Sequence, residues 1–158
     1  MMPRNAGFTL IELLVTVMIV SILAAGALPV MQLTAQRIKE NELRASLREL
    51  RSAIDGYKQA VDEGRIKQAI DRSGYPPSLE VLVEGVVDEK DPARKKLRFL
   101  RRIPRDPMHA DPESTAAESW GKRSYASEHD DPREGADVYD VYSLSARNGR
   151  NGQPYSSW

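Results

Sequence analysis

An almost wholly apolar run near the start of the chain constrains the fold more than any other feature. From Phe8 to Val30 the only charged side chain is Glu12. About twenty helical residues, at about 1.5 Å each, match the roughly 30 Å hydrocarbon core of a bilayer. The short leader before the run carries Arg4 and the amino terminus as positive charges, so the positive-inside rule places that end in the cytoplasm. We therefore expect the rest of the chain beyond the membrane.

Glu12 distinguishes an assembly segment from an ordinary secretory signal. An acid within a spanning helix is penalised by about 2.5 kcal/mol near the centre, less near an end, and it usually faces a partner. Cleavage after Gly7 would create an amine on Phe8, one helical turn from Glu12. That amine could pair with Glu12 of the same chain or of a neighbouring chain. The alternative is a plain signal, because the small residues of "SILAAGA" imitate a signal-peptide cleavage site.

The stretch "GFTLIELLVTVMIVSILAAGALP" resembles the amino terminus of type IV prepilins and type II secretion pseudopilins. The resemblance implies that a prepilin peptidase cuts after Gly7, that Phe8 is N-methylated and that Glu12 guides filament assembly. Pro29, close to Gly26, predicts a kink, because its ring clashes with the carbonyl group one turn earlier. Members of the family are similarly unwound in this region, although a simple kink at the membrane exit is the alternative.

An amphipathic pattern follows the apolar run and continues to about Glu63. One face of this predicted helix carries an apolar seam, made of Leu43, Leu47, Leu50, Ile54, Tyr57 and Val61. Beside the seam lies a basic row that is expected to face solvent, made of Arg44, Arg48, Arg51 and Lys58. If subunits pair through this row, Glu42 and Glu49 are the candidate counter-charges. Gly64 is expected to end the helix, and Ser78 to cap a short helix over Leu79–Glu84.

Two later segments read as strands because they are rich in aromatic and β-branched residues. They are Lys122–Ser127 and Asp137–Leu144, separated by the acidic turn "EHDDPREGA". In the second strand, Tyr139, Val141 and Ser143 are expected on the face that packs against the seam. The sequence thus predicts an α+β, pilin-like fold: a long N-terminal helix, membrane-spanning in its first half and amphipathic in its second, packed on a small antiparallel β-sheet. Its segments are a leader (1–7), a transmembrane and assembly helix (8–31) and a periplasmic domain (32–158).

The second half of the chain narrows the resemblance. Five segments, in order along the chain, resemble landmarks of the major pseudopilin family, general secretion pathway protein G. They are "GYPPSLEVLV", "RRIPRDP", "WG" followed by "SY", "YDVYSL" and Trp158. The chain departs from that family where "MHADPESTAAES" intervenes before Trp120. Family members also carry aspartates that hold calcium after the last strand, whereas Ser143–Trp158 contains no acid and has Arg147 where an aspartate is expected. We therefore do not carry the calcium site over, and no cofactor is expected.

Composition excludes several functions. The 23 basic and 23 acidic residues balance, so no global charge draws the chain to nucleic acid, and the absence of Cys excludes disulfides and thiolate chemistry. Seven cations between Arg94 and Arg105 form a basic segment, which is either a nucleic-acid or acidic-partner site or, as we prefer, a strand or loop with its apolar residues turned inward. Two groups could supply metal ligands but lack a recognised ligand spacing: His109 with Asp111, and Glu128 with His129, Asp130 and Asp131. The sequence shows no arrangement of residues typical of a catalytic site.

The predicted function is that of a structural subunit of a periplasmic pseudopilus in type II protein secretion, and not an enzyme. The resemblance implies as partners a prepilin peptidase, other copies of the chain, other pseudopilins, the inner-membrane assembly platform and membrane lipid, whereas nucleic acid is not expected. The location implied is the bacterial inner membrane, single-pass, with the C-terminal domain in the periplasm. Two alternatives stay open: a type IV pilin or minor pilin serving adhesion, motility or DNA uptake, and a membrane-anchored binding module that does not polymerise.

Overall fold

One long helix, α1, forms the amino-terminal third of the protein and runs from Leu10 to Asp62. The computed structural model describes residues 8–69 and 72–158, and the side chains of residues 25–30 and 32 fall outside that description. The contacts divide the chain into two units, residues 1–38 and residues 39–158.

The predicted apolar seam of α1 forms the core of the second unit. Leu43, Leu50 and Ile54 are fully buried, and Leu47 and Tyr57 are nearly so. Each such side chain contributes about 1.5–3 kcal/mol of hydrophobic stabilisation. The elements that cover the seam supply the other buried apolar residues, namely Ile66, Leu79, Leu82, Leu100, Met108, Ala117, Trp120, Val138, Val141 and Tyr155. The amphipathic prediction for this part of the helix is confirmed.

The predicted helix ends are close to those observed. Gly64 lies two residues beyond the end of α1 and adopts the left-handed region, with φ of 68°; its amide donates to the carbonyl oxygen of Val61. Helix α2 spans Leu79–Glu84, as predicted. Ser78 lies at the predicted N-cap position of α2, but its side chain forms no capping hydrogen bond. The predicted position of the cap is therefore confirmed, and the predicted side-chain cap is not.

Two small antiparallel sheets complete the second unit. Strands β1 (Val86–Val87) and β2 (Lys96–Leu97) pair with each other, and β3 (Trp120–Arg123) pairs with β4 (Asp140–Ser143). β4 lies within the predicted strand Asp137–Leu144. The prediction Lys122–Ser127 was wrong beyond Arg123, because the backbone amides of Ser124 and Tyr125 turn away to the Arg133 carbonyl and the Asp137 carboxylate. The β1–β2 pair was not predicted.

The alternation predicted for β4 holds only in part. Val141 and Ser143 are fully buried, whereas Tyr139 is half-buried. Val138, which strand alternation would place on the opposite face, is also buried, at 2% exposed. It precedes β4, and its amide donates to the carbonyl oxygen of Pro76 rather than to a neighbouring strand, so strand alternation does not extend to it.

A buried carboxylate joins the loop before β3 to β4. Asp106 is 1% exposed; its Oδ2 accepts the Ser143 hydroxyl at 2.6 Å and its Oδ1 accepts the Met108 amide at 2.7 Å. The Asp106 amide donates to Oγ of Ser119 at 3.1 Å. Because buried polar groups need partners, this network fixes the "RRIPRDP" segment against the β3–β4 sheet.

Candidate assembly site

The amino-terminal turn of α1 is built by a side-chain cap. Thr9 precedes the helix, and its Oγ1 accepts the backbone amide of Glu12 at 3.3 Å, while its carbonyl oxygen accepts the Leu13 amide at 3.2 Å. A threonine followed three residues later by glutamate is the sequence form of a capping box. Glu12 therefore lies in the first helical turn, where the positive end of the helix dipole favours a carboxylate by about 0.3–1 kcal/mol.

The Glu12 side chain is exposed and forms no ion pair or hydrogen bond with the residues that the structure describes. Phe8 is also exposed, at 74%, and lies one residue before the cap. Both groups are therefore accessible to an enzyme or to another chain. Gly7, the predicted cleavage position, lies outside the described residues.

The first turns of α1, together with Phe8 just before the helix, expose apolar side chains on every face. Those at least half exposed are Phe8, Leu10, Ile11, Leu13, Leu14, Val15, Val17, Met18, Ile19, Val20, Ile22 and Leu23. The polar side chains within this run bond to the helix itself, since Thr16 donates to the Leu13 carbonyl oxygen and Ser21 to that of Val17. A helix that is apolar all round requires a covering layer of lipid or of neighbouring helices.

Within the described part of the chain, none of the helices holds a stretch both long and apolar enough to cross a membrane. The side chains of Gly26 and Pro29 lie outside that part. Helix α1 includes both positions, but the kink predicted there stays a prediction.

Sequence reasoning missed Thr9 as a functional residue. The signal was available, because the T-x-x-E pattern of Thr9 to Glu12 is a recognisable helix start. Its cap orders the first turn that carries Glu12. Thr9 is accordingly a residue that positions the predicted assembly group.

The basic row of α1 is less solvated than predicted, because several of its members bind within the second unit. The Arg51 guanidinium donates to the Asp140 carboxylate and to the backbone oxygens of Val141 and Trp158, at 2.8–3.2 Å. Arg44 lies 4.1 Å from the ring centre of Trp158, within cation–π range. These contacts join distant segments to the helix, and Lys58 pairs with Asp62 one turn further along, so three of the four members of the basic row have partners in this unit.

The basic segment has the arrangement that we preferred. Leu100 is buried and Leu97, Phe99 and Ile103 are partly buried against the core, while the cations between Arg94 and Arg105 are exposed. Arg94 pairs with Glu89 and Arg105 with loop carbonyl groups, but the other five form no ion pair with a described residue: Lys95, Lys96, Arg98, Arg101 and Arg102. The apolar-inward prediction is confirmed, and binding of nucleic acid stays untested.

One partly buried ion pair shifts the protonation of its acid. The Arg65 guanidinium donates to the Asp88 carboxylate at 2.6 Å, and this hydrogen bond holds the pKa of Asp88 below its ordinary value, with a further contribution from the Lys90 amide. The pair joins the chain that leaves α1 to the turn after β1. It stabilises the fold and lies away from the amino-terminal site in sequence.

No group of three or more metal-ligating side chains is gathered in one place among residues 8–69 and 72–158. His109 and the acidic turn from Glu128 to Asp131 are therefore not assembled into a centre there. The turn is exposed, and its Asp131 pairs with Arg133.

A capped acidic turn at the head of an apolar helix, followed by an α+β domain with small antiparallel sheets, defines a pilin-like protein. Residues 2–28 match the family model described as the prokaryotic N-terminal methylation motif. The chain is 30% identical to the type II secretion system core protein G of Klebsiella pneumoniae, over 70% of this chain and 74% of that protein. It belongs to the type II secretion system core protein G family, the pseudopilins.

Other comparisons agree with this assignment. The chain is 30% identical to the core protein G of Pseudomonas aeruginosa, over 66% of this chain and 68% of the relative. It is 37% identical to the type IV major pilin protein PilA of Myxococcus xanthus, but over only 48% of this chain and 33% of that pilin. No solved structure matches. The comparisons therefore favour the secretion family over the pilin alternative.

Proposed function

We propose that this chain is the structural subunit of a periplasmic pseudopilus in type II protein secretion, made as a precursor and assembled through its amino-terminal helix. A prepilin peptidase removes the leader, residues 1–7, by cutting after Gly7. The new amine of Phe8 is then N-methylated. Residues 8–31 anchor the chain in the bacterial inner membrane, and residues 32–158 form the periplasmic domain.

The single observation that carries this proposal is the exposed Glu12 carboxylate on a capped first turn. It has no partner among the described residues, and apolar side chains flank it. In lipid such a charge is costly unless a cation neutralises it. The amine released on Phe8 of a neighbouring subunit supplies that cation, and the pairing sets the register between helices.

The apolar run supplies the association energy. Moving its exposed side chains into lipid or against other helices favours insertion and assembly by roughly 20–35 kcal/mol in total, at about 1.5–3 kcal/mol for each large side chain. Because lipid tails and helix side chains are similarly apolar, this hydrophobic energy holds the chain in the membrane but does not favour the filament over the lipid-embedded monomer. Pairing of Glu12 with an amine favours the filament.

The test uses the full chain, expressed with its prepilin peptidase and secretion machinery. We expect the wild type to begin at Phe8 and to carry one added methyl group by mass spectrometry. Gly7→Val should retain the leader, because a branched side chain obstructs cleavage. Glu12→Gln should still be cleaved, yet yield at least tenfold fewer filaments and secrete correspondingly less cargo.

Asp55→Asn is the matched control, since Asp55 is an exposed acid on the same helix and is not a candidate counter-charge for subunit pairing. It should behave as the wild type. The proposal fails if Phe8 never becomes the amino terminus, or if Glu12→Gln assembles and secretes like Asp55→Asn. A binding module that does not polymerise would remain dispersed in the membrane even when processing is complete.

A further inference from the structure

The carboxy-terminal loop, residues 144–158, is fastened to α1 by a buried glutamate. Oε1 of Glu40 accepts the backbone amide of Arg150 at 2.9 Å and the Tyr155 hydroxyl at 3.1 Å. Glu40 is 4% exposed and Tyr155 is 1% exposed. A carboxylate that leaves water needs hydrogen bonds of this kind, so the loop and the helix position each other.

Several oxygens of the loop already act as hydrogen-bond acceptors within it. The carbonyl oxygens of Arg147, Gly149 and Gln153 accept the amides of Tyr155, Gly152 and Gly149, at 2.8–3.1 Å. The side-chain oxygen of Asn151 accepts the Gln153 amide at 3.1 Å. The closure of this loop is therefore a set of protein hydrogen bonds, with Glu40 at its base.

The family resemblance implies a calcium ion in this region, but the donor set does not fit one. Calcium takes about six to eight oxygen ligands, commonly including carboxylates. Residues 143–158 contain no acid, and two cations, Arg147 and Arg150, occupy the loop. A divalent ion there would meet like charge and carbonyl groups that already accept hydrogen bonds.

Aromatic packing closes the other end of the loop. The Tyr155 and Trp158 rings meet edge to face with their centres 5.0 Å apart, and Arg44 lies over the Trp158 ring. Gly149 permits this approach, because a Cβ there would lie 2.3 Å from the Trp158 ring. The loop thus has hydrogen-bonded and packed anchors on α1 that need no ion.

We propose that Glu40 closes the carboxy-terminal loop in place of the calcium ion that the family resemblance implies, so that this chain folds and keeps its loop without calcium. Two expectations follow from the contacts of Glu40 with Arg150 and Tyr155. Chelators do not open the loop, and loss of the Glu40 carboxylate opens it whether or not calcium is present.

The test measures opening of the loop in the full chain, purified in detergent micelles. Trypsin cleavage after Arg147 and Arg150 is followed by mass spectrometry in EGTA and in calcium chloride, because cleavage of a folded protein follows the population of the open form. We expect the wild-type rates in the two conditions to agree within twofold. Glu40→Gln should raise both rates at least tenfold in either condition, because the charged acceptor is lost.

Glu42→Gln, an exposed substitution of the same kind on the same helix, should leave both rates unchanged. Tyr155→Phe removes a single donor and keeps the ring, so it should raise cleavage several-fold even if Glu40→Gln does not fold. The proposal is overturned if EGTA speeds wild-type cleavage more than twofold, if Glu40→Gln folds and is cleaved like Glu42→Gln, or if Tyr155→Phe has no effect. None of these readouts requires a filament, so they are independent of the proposed function.

Discussion

Replacing Asp106 with alanine should remove a large share of the stability of the second unit. The substitution leaves two buried donors without their acceptor, the Ser143 hydroxyl and the Met108 amide. Each unpartnered buried donor costs about 1–3 kcal/mol. The two losses together amount to about 2–6 kcal/mol, with a central value of about 4 kcal/mol. A domain of this size is stable by only about 5–15 kcal/mol.

Asp106→Asn gives an intermediate case. The amide oxygen still accepts the Met108 amide, and the amide nitrogen can donate to Oγ of Ser143, so both contacts survive without the negative charge. We expect a loss of about 1–2 kcal/mol, since hydrogen bonds to charged groups exceed neutral ones by about that amount.

Urea unfolding of the full chain in micelles measures both effects. Trp120 is 1% exposed and pairs with Ser143 across the β3–β4 sheet, so its fluorescence reports on this region. With an m-value of about 1.5–2 kcal/mol per molar urea, Asp106→Ala should lower the midpoint by about 2 M. Asp111→Ala is the control, because Asp111 also accepts the amide two residues later, but in an exposed turn. Equal losses for the two alanine variants would refute the argument from burial.

Three further predictions use the same domain. Gly121→Ala should lower the free energy of unfolding by about 1–2 kcal/mol in the urea assay, because a Cβ there would lie 2.4 Å from the Tyr142 ring. Gly56→Ala should raise it by up to about 1 kcal/mol through helix propensity, because its Cβ would meet Phe99 at an ordinary 3.4 Å. The opposite order of stabilities would contradict the contact geometry. The pKa of Asp88 is lowered, so its contribution is present above the ordinary pKa of 3.8 and is lost as the pH falls through the lower folded value. Thermal unfolding from about pH 6 to about pH 2 should therefore show a smaller acid-induced loss for Asp88→Asn than for the wild type, and equal losses would be inconsistent with the Arg65 pair. The nucleic-acid interpretation of the basic segment, which we do not favour, predicts that the triple variant Arg98→Ser, Arg101→Ser, Arg102→Ser leaves a phosphate resin at lower salt than the wild type; identical elution would remove that interpretation.

The elements that could be predicted from sequence are those with a long repeated pattern. The seam from Leu43 to Val61 repeats at helical spacing over five turns, so both its helix and its buried face were predicted. Strands β1 and β2 have two residues each, too few to show alternation. Strand β3 was placed too late because "SYAS" has strand-like composition, whereas Ser124 and Tyr125 bind Asp137 instead of a neighbouring strand.

Among the functional residues too, those that belong to a local sequence pattern could be predicted, and those that depend on long-range contacts could not. Glu12 and the T-x-x-E cap lie within one turn, so a local pattern reveals them. The partner of Arg51 is Asp140, 89 residues away, and the donors to Glu40 are at least 110 residues away. No spacing along the chain indicates such pairs, because the fold alone brings them together.

Glu40 and Glu12 show why two acids on one helix have different functions. Glu40 is buried and accepts hydrogen bonds from two groups of its own domain, so its carboxylate is committed to holding the loop. Glu12 is exposed, and among the described residues none binds its side chain. Once apolar surroundings replace water, its charge requires a cation. In the proposed function, proteolysis after Gly7 would create such a cation on every copy of the chain, and assembly would then depend on processing.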